Sequence, residues 1–104
     1  MKDSKIYELT IIMGEVSSLE ALEFSRNISV EALTDVELKH YYILTACIYF
    51  ELDQCNECYD MLRLGKEKFP EAPEFPHSLK VFKDIQYMKY KEKFKVKVGK
   101  KVKT

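Results

Sequence analysis

Apolar positions recur at helical spacing along most of this chain. Ile6, Leu9, Ile12, Met13 and Val16 share one side of a first helix, which Ser4 can cap and Gly14 weakens near its end. Ser17-Ser18-Leu19-Glu20 reads as a capping box, with a hydroxyl facing a carboxylate three residues on. It opens a short second helix through Leu22 and Phe24. The β-branched Ile28 and Val30 mark 27–33 as a connector. Thr34-Asp35-Val36-Glu37 is a second capping box, opening the longest predicted helix from Asp35 to about Leu52. One face of that helix carries Tyr42, Thr45, Ala46 and Tyr49, and another carries Ile43, Cys47 and Phe50. A helix without a polar face is a buried one, so this segment is expected to be the central strut. Asp53-Gln54 makes a turn, and a fourth helix ends at Phe69-Pro70. Pro73 and Pro76 predict a loop over 72–76, because proline pushes the residue before it into extended geometry. Ser78 then caps a last helix with Leu79, Phe82, Ile85 and Met88 on one stripe. The pattern predicts an all-α domain over 1–88, a small antiparallel array of four or five helices. An extended, lysine-rich tail is expected over 89–104.

Composition narrows the class. A chain of 104 residues is one small domain, and such a domain buries only about 60–65% of the surface its unfolded chain exposes. No apolar run approaches the roughly 18–20 residues of a membrane span, and the start is not a secretory signal. The expected location is cytoplasmic, with reduced thiols. The net charge of zero conceals a division. Residues 1–79 hold seven basic and fifteen acidic residues, a net of −8, whereas 80–104 hold ten lysines against Asp84 and Glu92, a net of +8. A like-charge block at a terminus is the usual footprint of an arm that holds a polyanion.

Residues 39–70 resemble one tetratricopeptide repeat, a helix–turn–helix of 34 residues with fixed large, small and terminating positions. Tyr42 and Tyr49 stand at the aromatic positions and Ala46 at the first small one. Cys58, Leu62, Gly65 and Pro70 follow at the small, bulky, small and terminating positions of the second helix. Thr45 departs from the usual leucine. The resemblance implies a binding module with a groove along His40, Ile43, Cys47 and Phe50. In chaperone-binding members Lys and Asn clamp a terminal carboxylate; Ile43 and Cys47 occupy the matching positions here, so no such clamp is expected. One repeat cannot bury its own faces, since about three stacked units are normally needed. Either the flanking helices complete a minimal bundle, the chain's N-terminal helices filling the groove, or a partner does.

Cys55-Asn56-Glu57-Cys58 is the one spacing that hints at site chemistry. A closed zinc site needs four ligands, and Cys47, His40 and His77 are scattered without a second paired motif. Packing is the expected role of these thiols, with no metal and no cofactor. Neither a nucleophile motif nor a phosphate loop is present, so the expectation is a protein that is not an enzyme and takes no small-molecule substrate. In the tail, Lys89, Lys91, Lys93, Lys95, Lys97, Lys100, Lys101 and Lys103 are the candidate RNA contacts. From Lys93 to Val98 lysine alternates with Phe94, Val96 and Val98, as in an extended strand with a phosphate-facing side. Tyr87, Tyr90 and Phe94 offer stacking surfaces. The resulting expectation is a docking protein whose acidic body meets protein and whose tail binds RNA, as a ribosome or ribonucleoprotein component or associated factor. The alternative is a tetratricopeptide-type adaptor with a solvated tail and no RNA role.

Overall fold

A computed structural model describes the backbone over residues 5–103 and the side chains over 5–92. It is all-helical: α1 (Lys5–Glu15), α2 (Ser18–Arg26), a 3-10 turn (Val30–Ala32), α3 (Asp35–Glu51), α4 (Cys55–Lys68) and α5 (Glu74–Lys103). No strand occurs among the described residues. Helix boundaries follow local chemistry. At α2, Ser17 Oγ accepts from the Glu20 amide at 3.1 Å. At α3 the box is complete: Glu37 N–H donates to Thr34 Oγ1 at 3.2 Å, and the Thr34 amide donates to the Glu37 carboxylate at 3.0 Å. Ser4, expected to cap α1, lies outside the described residues.

The α3–α4 turn depends on Asp53, whose φ of 61° is left-handed. Aspartate tolerates that region better than most residues. The turn lets the Asp53 amide donate to the Phe50 carbonyl at 3.1 Å and the Gln54 amide donate to the Tyr49 carbonyl at 2.8 Å. This pair of bonds satisfies the last carbonyls of α3 in the Schellman manner.

α3 packs against all four other helices, as its lack of a polar face requires. It divides the interior into two clusters. Ile6 and Leu9 of α1, Ala21 and Leu22 of α2, Ile28 and Ile48 form the first. Ala46, Phe50, Cys58, Leu62 and Phe75 form the second. Thr45 is buried as well and satisfies its hydroxyl within α3, donating to the Tyr41 carbonyl at 2.7 Å.

Two expectations are corrected. The last helix begins at Glu74, not Ser78, and takes in most of the expected 72–76 loop. Pro76 sits in its first turn, where the amide it lacks has no partner to lose. The first bond bridges it, with the His77 amide donating to the Pro73 carbonyl at 3.1 Å. The extended preference of Phe75 before a proline yields to burial, since its ring is 1% exposed. That ring lies 6.3 Å from both Tyr42, edge-on, and Phe69, stacked. The second correction concerns the start of the expected tail. Lys89 to Glu92 are helical and continuous with α5, not extended. Lysine and glutamate favour helix, and no proline or glycine interrupts this stretch.

Candidate nucleic-acid interface

The first half of α5 serves the core and the second half leaves it. Phe75, Leu79 and Phe82 pack into the second cluster. From Lys83 to Glu92 every residue is exposed. The radius of gyration, 16.5 Å, exceeds the about 13 Å of a compact domain of this length, as a projecting helix requires.

Of the eight candidate RNA contacts, Lys89 and Lys91 are exposed on α5. Lys89 Nζ stands 5.1 Å from the centre of the Phe50 ring. The side chains of Lys93, Lys95, Lys97, Lys100, Lys101 and Lys103 lie outside the described residues, as does that of Phe94. The groove residues do not line one open surface. His40 is exposed, and Ile43 and Cys47 are half-buried. Phe50 is only 8% exposed and its ring lies 4.7 Å from that of Phe82. Helix α5, not the N-terminal helices, therefore covers the Phe50 end of the expected groove.

Cys58 belongs to the second cluster and Cys55 packs against it. Cys58 is fully buried, and burial, with the neighbouring Cys47 and Cys55, pushes its pKa up to about 12. Cys47 is also raised, by burial and then by Glu51. A thiol held neutral in this way is a poor nucleophile. No cluster of three potential metal ligands occurs among the described residues.

Cations and aromatic rings gather along the seam between α4 and α5. Tyr59, Arg63 and Lys66 recur at i, i+4 and i+7 on α4, and Lys83, Tyr87 and Tyr90 do so on α5. The two rows meet where Lys83 Nζ lies 5.9 Å from the Tyr59 ring centre. The Tyr59 hydroxyl donates to the Gln86 side-chain carbonyl there. Burial raises the Tyr59 pKa, so the phenol stays neutral. Arg63 also pairs with Asp60 on its own helix at 2.6 Å. Tyr87 and Tyr90 were singled out from the sequence and are exposed, whereas Tyr59, Arg63, Lys66 and Lys83 were not singled out. Their spacing is visible in the chain, whereas which two helix faces share a seam is a tertiary fact. No helix among the described residues is long and apolar enough to cross a membrane.

Comparison of the chain with protein-family models, curated proteins and solved structures finds no match.

Proposed function

We propose that this is a non-enzymatic docking protein whose acidic helical body meets protein and whose basic C-terminal helix holds RNA. The observation that carries the reading is the position of the charge. The lysine-rich block of the sequence, 80–104, begins where α5 stops contributing to the core, so positive charge is concentrated at one end of a chain whose remaining residues are acidic overall. A polyanion is the natural partner of such a segment, because each neutralised phosphate releases condensed counterions. The α3–α4 hairpin is read as one tetratricopeptide-like unit. Ala46 and Cys58, fully buried in one cluster, support this, as does the packing of Gly65 against the helix that follows. A ribonucleoprotein particle offers both kinds of partner at once.

The test is a salt series with an RNA ligand, on the intact chain and on a chain truncated after Met88. If about five lysines reach phosphates, log affinity should fall against log salt with a slope of about −3.5 to −4.5. Truncation should weaken binding strongly and flatten the slope while leaving the body folded, since Phe75, Leu79 and Phe82 remain. The protein-only adaptor draws on a different observation, the exposed apolar row Val81, Ile85 and Met88 on α5. Salt-independent binding, or an intact chain that binds no RNA, would replace the RNA reading with the adaptor, and a truncated chain that binds RNA as well as the intact one would remove the lysine block from that reading.

A further inference from the structure

We infer that the α4–α5 seam is a stacking site for single-stranded RNA, an inference that rests on the RNA reading above and gives it a located site. Two open cavities lie along the seam, of about 270 Å³ and 430 Å³, and they share Tyr59 and Lys83 as lining residues. They therefore adjoin. Arg63 and Lys66 line the first, Tyr87 and Tyr90 the second, and no carboxylate lines either. This is notable in a chain with seventeen acidic residues. Cations gather towards one end of the seam and tyrosines towards the other, along about 22 Å of α5 from Phe75 to Tyr90.

The chemistry of the lining selects the ligand. Cations alone would suit any polyanion, including an acidic peptide. Exposed ring faces add a preference for unpaired bases, because a base stacks on an aromatic ring only when its own face is free. Tyr87 and Tyr90 are 64% and 68% exposed, so their faces are open to such a base. Tyr59 is different: the bond to Gln86 and the Lys83 ammonium fix its ring as the wall between the two cavities. A strand lying in the seam would place phosphates near Lys66, Arg63 and Lys83 and bases against Tyr87 and Tyr90.

The test uses the full chain and a short single-stranded oligouridine, with a duplex RNA of equal charge and polyglutamate as competing probes. Tyr87→Ala and Tyr90→Ala should each weaken oligouridine binding about fivefold to a hundredfold. The salt slope should not change, and the far-UV circular dichroism should be that of the parent. Tyr87→Phe should bind as the parent does. Lys66→Gln and Lys83→Gln should instead flatten the slope by about 0.7 each, the single-strand value per phosphate. If the intact chain binds RNA but the Tyr87→Ala/Tyr90→Ala double variant binds equally well, the seam inference is overturned while the lysine reading stands. An intact chain that binds no RNA overturns both. Duplex binding as tight as oligouridine binding, or polyglutamate binding that shows the same tyrosine dependence, would also overturn it, the latter assigning the seam to acidic protein.

Discussion

Gly65→Ala is the most exposing perturbation of this fold, because two effects of known sign oppose each other. In an ordinary helix interior the change stabilises by about 1 kcal/mol, since alanine has the better helix propensity. Here a Cβ would stand 2.1, 2.5 and 2.6 Å from Cε1, Cδ1 and Cζ of Phe75. Carbon atoms in contact sit about 3.5 Å apart or more, so the ring edge must retreat by roughly 1.4 Å. It has little room to do so, with Tyr42 and Phe69 ring centres both 6.3 Å from its own. Relief by small shifts costs about 1–3 kcal/mol, and expulsion of the ring costs about 3–5 kcal/mol, as for a Phe→Ala change. With three ring atoms displaced at once, a net loss of about 2–4 kcal/mol is expected after the propensity gain is deducted. For a domain of this size that is on the order of 10–20 °C in Tm.

Urea unfolding followed by far-UV circular dichroism measures the loss directly, and a Phe75→Leu background supplies the control. Phe75→Leu removes Cε1 and Cζ, two of the three clashing atoms, and leaves a rotatable methyl in place of the third, so Gly65→Ala should cost much less there, or stabilise by up to about 1 kcal/mol. A Gly65→Ala protein as stable as the parent would refute the close approach. An equal cost in both backgrounds would refute Phe75 as its cause.

Two further outcomes follow from the same core. Ala46→Leu introduces three carbons into a fully buried position beside Cys58 and Leu62, and should cost about 1–3 kcal/mol in the same urea assay. Cys58 carries a pH prediction: its folded pKa is raised from 9.0 to about 12, chiefly by burial. The stability gained by keeping that thiol neutral is complete below about pH 9 and is lost as pH rises towards 12, at up to about 1.4 kcal/mol per unit. The slope of unfolding free energy against pH over that window should be shallower in Cys58→Ala. Slow reaction of Cys58 with a thiol reagent, limited by unfolding, is expected in the parent at neutral pH.

How legible the fold was depended on whether the deciding interaction was local. The capping box at Thr34 and the turn at Asp53 involve residues within a few positions of one another, and the sequence alone located both. The central role of α3 was also readable, because a helix with no polar face has nowhere to go but inside. The start of α5 was not. Pro73 and Pro76 argue locally for a loop, and only the site made by Gly65, Tyr42 and Phe69 for the Phe75 ring reverses that argument. Phe50 failed in the same way. Its position on the repeat pattern assigns it to a binding groove, yet Phe82, thirty-two residues on, covers it. The repeat pattern marks Gly65 only as a small position, whereas the atoms a side chain would strike there belong to α5.

The placement of the α5 lysines bears on whether their charge is free to act. An acidic body and a basic segment in one chain invite the possibility that the two simply neutralise each other. The described contacts argue otherwise. Lys80 pairs with Asp84 on its own helix at 3.2 Å, Lys83 lies over Tyr59, and Lys89 lies over Phe50. An exposed pair of the Lys80 kind holds its partners by about 0–1 kcal/mol, and an exposed ammonium over a ring face by about 0.5–1 kcal/mol. Contacts this weak orient the cations without consuming them. A phosphate arriving at Lys83 would compete with a ring face, and one arriving at Arg63 with the exposed Asp60 carboxylate, not with a buried one. The body's acidic residues meanwhile discourage a polyanion from settling elsewhere on the domain, since like charges repel over about a Debye length, roughly 8 Å at physiological salt. Charge division therefore does two things at once: it leaves one end of the molecule attractive to phosphate and makes the rest of it unattractive.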